Sequence, residues 1–357
     1  MAKILLLGGT GAMGMHLVQL LTNTEHHVVV TSRRSRQDHD NITYVLGNAH
    51  DDIFLKSLLK QGFEVIVDFM VYNTLEFQKR YSLLLGSCEQ YVFISSSRVY
   101  ANSDSPITES SPRLLDTCTD SLYLQTDEYA LTKARQEDCL FNSNRNNFTI
   151  VRPYITYDKY RLQLGGMEKE SWIYRALKGR SIVFSYDISS KYTTLTYGHD
   201  VARAIASLLG NESALGEAFH ITQPYSCTWQ EILEIYLHVL KEKLGKEPNV
   251  YMTRQSLYIN YPNKKWQIEK DRLYNRLFDN SKINQYINTT TFLKPSEGLR
   301  MCLTEFIDSP LFSQPYLRDE IMKDKLTGEY TPISEFSSIK VQLKYLIGRY
   351  FIPISKI

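Results

Sequence analysis

The chain has 357 residues, 43% hydrophobic and 22% charged, with a formal net charge of +2. That balance suits a folded globular protein and is too neutral for the clustered basic surface of a nucleic-acid binder. Five cysteines, odd in number and without CxxC spacing, argue against a disulfide framework or zinc site, and no apolar stretch approaches bilayer length; a cytoplasmic protein without an integral membrane segment or metal is expected.

The chain opens on Lys3–Leu7, which reads as a buried strand: the apolar run is too short for a secretion signal and enters Gly8 directly. Further strands are expected at His27–Thr31, Ile42–Leu46, Val65–Phe69, Tyr91–Ser95 and Thr149–Arg152. Helical patterns lie between them near Met13–Leu21, Ile53–Lys60, Thr74–Cys88 and Asp127–Phe141. Such alternation predicts βαβ units, a parallel sheet and right-handed crossovers that place helices on both faces. After Pro153 the rhythm breaks. Residues 159–190 read as a loop-and-helix insertion, Tyr192–Tyr197 as a strand and His199–Leu209 as a helix returning to the first domain. From Gly216 onward, short strands and a helix around Trp229–Lys243 predict a smaller, discontinuous domain. The expected division is residues 1–158 with 191–214, then 159–190 with 215–314, then an aromatic extension over 315–357. That extension packs on the body, meets another subunit or touches a membrane surface.

Gly8, Gly11 and Gly14 stand where the first strand meets the first helix. Glycines there permit a tight turn and close backbone approach, and the helix N-terminus offers unpaired N–H groups to a pyrophosphate, drawing in Thr10, Ala12 and Met13. The second strand ends in Thr31-Ser32-Arg33-Arg34, without the acid that accepts from the ribose 2′-OH of NAD. Guanidinium groups bind a 2′-phosphate through forked, charge-assisted hydrogen bonds, so NADP(H) is preferred, with NAD(H) possible. A solvated basic loop would look the same.

Tyr129 and Lys133 are four residues apart, hence on one face of the predicted helix. A phenol with its ordinary pKa is a poor base at neutral pH, and a nearby ammonium favours the phenolate. About thirty residues earlier comes Ser95-Ser-Ser-Arg-Val-Tyr100, whose hydroxyls can polarise a substrate oxygen. Alone, the serines are a polar strand end and Tyr129 a half-buried aromatic. Behind a dinucleotide turn they form a proton-transfer set.

With these motifs the chain resembles the extended short-chain dehydrogenase/reductases, which include NAD(P)-dependent nucleotide-sugar epimerases, dehydratases and reductases. The likeness spans about residues 3–305 and includes Ile107-Thr-Glu109, Val151-Arg-Pro153, His199-Asp-Val-Ala202, Gly216-Glu-Ala-Phe-His-Ile221 and Asp279-Asn-Ser-Lys282. It implies an α/β fold, a Rossmann-type doubly wound parallel sheet with a smaller discontinuous α/β substrate domain. It implies Ser96, Tyr129 and Lys133 as the catalytic set, Tyr129 and Lys133 also lying against the cofactor. Ser96, Ser97, Arg98 and Tyr154 would meet a nucleotide-sugar substrate, and homodimers are common among such enzymes.

The departures also inform. Dehydratases of this group carry Asp and Glu where Ser97 and Arg98 stand, so 4,6-dehydration is not expected. Asp68-Phe-Met-Val-Tyr72 replaces a His-x-Ala-Ala segment, Asn48 replaces an adenine-side Asp, and Ile155 replaces a substrate-side Asn. Thr193 stands where several epimerases hold a diphosphate with Arg, leaving Lys191, Arg272 or Arg276 as substitutes. The expected activity is NADP(H)-dependent 4-keto reduction of a nucleotide-linked sugar, with Tyr129 as proton donor. The alternatives are 4-epimerisation and a non-enzymatic protein that senses dinucleotides or binds RNA.

Overall fold

The computed structural model describes residues 1–354 and divides the chain into two compact units. The first comprises residues 1–156, 194–226 and 276–294; the second comprises 157–193, 227–275 and 295–357.

In the first unit the elements are β1 (Lys3–Leu7), α1 (Ala12–Leu21), β2 (His27–Ser32), β3 (Ile42–Leu46), α2 (Asp52–Leu59), β4 (Val65–Asp68), α3 (Thr74–Leu85), β5 (Gln90–Ile94), the short turns α4 (Leu114–Thr117) and α5 (Ser121–Leu124), α6 (Tyr129–Phe141) and β6 (Phe148–Pro153). A helix at Gly198–Leu208 and a strand at Glu217–Ile221 complete it. Seven strands form one parallel sheet in the order Glu217–Ile221, β6, β5, β4, β1, β2, β3. This is the Rossmann-type doubly wound sheet that the alternation predicts. Strand order reverses between β1 and β4, which opens a crevice at their carboxyl ends, the usual ligand position in such sheets.

Strand side chains alternate between faces, and both faces are buried. Ile4, Leu6, Val28, Val30, Val65 and Val67 join one core, with Leu17 and Val18 of α1 and Ile205 of the helix Gly198–Leu208. Leu5, Leu7, Val29 and Ile66 join the other, with Leu55 of α2 and Phe77 of α3. This two-sided burial explains why the strands read as continuous apolar runs.

The second unit holds helices Lys169–Leu177, Trp229–Leu244, Pro295–Asp308, Leu317–Thr327 and Ile339–Tyr350. Strand Ile182–Ser185 pairs in parallel with Val250–Thr253. A capping box, Thr228 with Glu231, starts the Trp229 helix, and Gly245 in the left-handed region (φ 73°) ends it.

The division differs from the expected one in three places. Glu217–Ile221 is an edge strand of the first unit's sheet, paired with β6, although its sequence was assigned to the second domain. Its burial pattern is that of any sheet strand, but a long excursion separates it from β6, and only register shows the pairing. Residues 276–294 also belong to the first unit. The extension from 315, expected as a separate piece, has its helices within the second unit, in keeping with the reading that it packs on the body. The expected strand Tyr192–Tyr197 is two short ones, Tyr192–Thr193 and Thr196–Tyr197, because the boundary between the units falls after Thr193.

Candidate active site

The site builds from the carboxyl ends of β1, β2, β4 and β5, all within the first unit. Gly8 follows β1 with φ 68°, a conformation that disfavours any side chain. Its N–H donates to Thr31 Oγ1 at 2.9 Å, tying the turn to β2. A Cβ on Gly14 would lie 2.6 Å from the Gly9 backbone, so α1 approaches its own entry loop only because Gly14 has none. Gly11 is different. It is the N-cap of α1 with no capping side chain, and a Cβ there would meet no protein atom within 4 Å. The fold therefore does not require glycine at position 11; a group lying against that backbone would. The first-turn N–H groups of Ala12 and Met13, beside Thr10, lack intrahelical acceptors and suit a pyrophosphate.

Where β2 ends, the Ser32 hydroxyl donates to the Arg34 carbonyl (2.7 Å) and accepts from the Arg34 N–H (3.2 Å), fixing the turn that carries Arg33 and Arg34. Both arginines are exposed, and neither forms an ion pair among the described residues. Asn48, after β3, is exposed, its Oδ1 accepting from the His50 N–H at 3.1 Å. These features suit a dinucleotide: an open glycine backbone, helix N-terminal amides and, among the described residues, guanidiniums without ion pairs.

After β5 the three serines separate by their hydrogen bonds. Ser95 Oγ donates to Glu137 (2.6 Å) and Ser97 Oγ to the Arg152 carbonyl (2.7 Å), so neither hydroxyl proton is available. Among the described residues Ser96 Oγ only accepts, from the Arg98 N–H at 3.2 Å. Of the three, Ser96 alone keeps a proton to give.

Tyr129 opens α6 and is 39% exposed; no side chain among the described residues hydrogen-bonds its hydroxyl. The Arg98 guanidinium lies 5.5 Å from its ring centre and donates to Glu128 at 2.6 Å. Glu128 caps α6 through the Ala130 N–H (2.9 Å). Arg98 thus links the serine turn to the start of α6 and lies against the tyrosine ring. Tyr154 is buried against Phe278 (5.4 Å between ring centres), and its ring belongs to the packed wall.

One turn along α6, Lys133 is buried. Its Nζ donates to the Ile94 carbonyl at 2.7 Å and stands 4.6 Å from the centre of the Phe93 ring. The ammonium is therefore fastened to the end of β5, directly before the serines. One acceptor occupies one of its three N–H bonds; among the described residues no other group accepts the remaining two. Burial lowers its pKa from 10.5 to about 8, opposed by the charges of Asp68 and Glu137.

Neither acid stands out as a neighbour of Lys133 in the sequence, where Asp68 marks only a changed segment after the fourth strand. Asp68, the last residue of β4, is buried; its carboxylate accepts from the Met70 N–H (2.9 Å) and Tyr91 hydroxyl (2.8 Å). Burial raises its pKa, against those hydrogen bonds and Lys133. Glu137, four residues after Lys133, takes two bonds from Arg152 at 2.8 Å each and one from Ser95. The signals were an acid ending an apolar strand and an i+4 acid on the helix face. Of the substitute cations, Arg276 donates to the carbonyls of Tyr100 (3.1 Å) and Ala101 (3.0 Å), and Arg272 to that of Gly165 (3.0 Å); Lys191 is half-buried.

The model of a family described as "NAD dependent epimerase/dehydratase family" matches residues 4–222. Chloroplast stem-loop binding protein of 41 kDa b from Arabidopsis thaliana is 28% identical over 239 residues, covering 62% of this chain and 58% of that protein. The 2′-dehydrokanamycin reductase of Streptomyces kanamyceticus is 23% identical over 248 residues, covering 67% and 66%. The chain thus spans less than two thirds of either relative. Among solved structures, UDP-glucuronic acid 4-epimerase from Bacillus cereus in complex with NAD shares the fold: TM-score 0.64 at 17% identity, over 86% of this chain and 98% of that one.

Proposed function

This chain belongs to the NAD dependent epimerase/dehydratase family, and from that membership and its own residues we propose an NADP(H)-dependent reductase acting on a 4-keto nucleotide-linked sugar. The observation that carries the cofactor and the direction is the end of β2. Arg33 and Arg34 are exposed and without ion pairs among the described residues, and no acid stands there to repel a 2′-phosphate. A phosphorylated, exchangeable cofactor suits net reduction. The reductase among the relatives supports the same direction, and the solved epimerase supports a nucleotide-linked sugar as substrate.

Gly8–Gly14, Arg33 and Arg34 would hold NADPH, which would supply a hydride for the ketone carbon. Ser96 donates its free hydroxyl proton in a hydrogen bond to the ketone oxygen, stabilising charge that develops there. Tyr129 gives that oxygen a proton. Lys133, held at the end of β5, would offer its two remaining N–H bonds to the tyrosine oxygen and a ribose. Ser97 and Arg98 offer no carboxyl group, so dehydration lacks its acid and base.

The decisive experiment incubates the purified protein with a nucleotide-linked 4-keto sugar and either NADPH or NADH. Stoichiometric NADPH oxidation is expected, with Arg33→Ala/Arg34→Ala raising KM for NADPH and leaving NADH unaffected. Tyr129→Phe is expected to abolish turnover while retaining dinucleotide binding. Tightly held NAD with interconversion of 4-epimers and no net oxidation would replace this reading by 4-epimerisation, in which Tyr129 first takes a proton and then returns it. A stem-loop binding relative motivates a third outcome, RNA binding without turnover, against which stand the intact Tyr129/Lys133 pair and the near-neutral charge.

A further inference from the structure

The helix Ile339–Tyr350 presents two unlike faces. One is fixed inside the second unit: the Tyr345 hydroxyl donates to Asp324 at 2.6 Å, its ring packs on Phe336, and a Cβ on Gly348 would lie 2.6 Å from Ile321 Cδ1. The other is an apolar stripe. Ile339, Leu343 and Ile347 recur every fourth residue, hence one above another. Tyr350, Phe351 and Ile354 extend the stripe, and all six are exposed, Ile339 to 74% and Phe351 to 80%. Because Tyr345 and Gly348 hold the opposite face, the helix cannot turn its stripe inward.

Charge identifies what covers it. Residues 336–357 contain Lys340, Lys344, Arg349 and Lys356 and no acidic residue, in a chain whose net charge is only +2. Lys340 and Lys344 are exposed and form no ion pair among the described residues. An exposed apolar stripe bordered by lysines, with aromatics at one end, has the pattern of a helix lying in a membrane interface. A second copy of the chain fits poorly, because apposing two such faces brings their lysines together.

We propose that this helix docks the protein on an anionic lipid surface, with Ile339, Leu343, Ile347 and Phe351 entering the headgroup boundary and Lys340 and Lys344 meeting lipid phosphates. No helix among the described residues is long and apolar enough to cross a membrane, so attachment is peripheral and reversible.

The test is sedimentation of the full chain with vesicles of mixed phosphatidylglycerol and phosphatidylcholine, or of phosphatidylcholine alone, with urea unfolding to verify each variant's fold. Binding to the anionic vesicles, weakened by salt, is expected. Lys340→Gln/Lys344→Gln should lower partitioning by about fivefold per charge removed. Leu343→Glu/Ile347→Glu, at exposed positions, should abolish it. No binding to anionic vesicles at low ionic strength would overturn the proposal, as would equal binding to both vesicle types. A solution dimer dissolved by Leu343→Glu/Ile347→Glu, without vesicle binding, would assign the face to a second copy instead.

Discussion

Two buried lysines, one in each unit, have nearly the same electrostatics and opposite surroundings. Lys133 donates to the Ile94 carbonyl at 2.7 Å and Lys323 to the Ser171 carbonyl at 2.6 Å; burial brings both to a pKa of about 8. The groups around Lys323 form a dense network of ion pairs and hydrogen bonds. Asp319 lies 3.9 Å from its Nζ and accepts from both the Ser171 and Tyr258 hydroxyls. Beside it, Arg175 pairs with Glu320, Asp324 and Glu329 at 2.8 Å each. Around Lys133 the pairing is incomplete: no carboxylate makes a salt bridge with it among the described residues, Ser96 keeps its proton, and Tyr129 is exposed with its hydroxyl unengaged. A perturbed pKa therefore does not identify an active site here. What separates the two lysines is their neighbours: Asp319 stands 3.9 Å from Lys323, whereas no carboxylate pairs with Lys133 among the described residues.

Replacing each lysine by methionine should break the symmetry most sharply. Lys133→Met is expected to lower kcat by on the order of a thousandfold with little change in the urea midpoint, since it removes a buried charge that folding disfavours. Lys323→Met should lower the midpoint and leave kcat intact; loss of turnover there would erase the distinction. Arg175→Met should destabilise the fold by about 3–5 kcal/mol in urea titrations, because it leaves Glu320 and Asp324 buried without their main counter-charge.

A finer comparison lies within the serine cluster. Ser96→Ala should cost about a hundredfold in kcat. Ser97→Ala removes only the bond to the Arg152 carbonyl and should reduce stability by about 1 kcal/mol, with kcat nearly unchanged. Steady-state kinetics beside thermal unfolding separates the two.

The smallest effect is in pH. In the proposed mechanism turnover uses the Lys133 ammonium, so kcat should fall as pH rises through about 8. Asp68 favours that charge; Asp68→Asn should lower the lysine pKa further and move the alkaline limb toward neutral pH. The stability sign is opposite. The folded value lies below the unfolded 10.5, so the unfolded chain binds more protons between them, and Lys133's contribution to stability rises across that window. An unmoved limb in Asp68→Asn would show that Asp68 supports only the strand end.

Much of this was legible from residue spacing. Glycines at a strand–helix junction, a tyrosine and lysine four apart, and arginines where an acid is expected are local patterns, because the backbone periods of helix and strand place such residues together by themselves. The choice of Ser96 over its neighbours was motivated by likeness; the hydrogen bonds of Ser95 and Ser97 supply a physical reason for it. The contacts of Arg98 and Tyr154 could not be read locally, since Arg98's partners Glu128 and Tyr129 and Tyr154's neighbour Phe278 are distant in the chain.

The sequence by itself determined the doubly wound sheet, the glycine turn Gly8–Gly14 at the first strand–helix junction and the helix that carries Tyr129 and Lys133, because hydrophobic alternation and turn chemistry are short-range. Only the tertiary structure decided that Glu217–Ile221 closes the sheet beside β6, that Asp68 and Glu137 act on Lys133, and that one face of the helix Ile339–Tyr350 is buried and the other open. Strand pairing between distant segments and the burial of charge depend on which surfaces meet, and no local pattern contains that information.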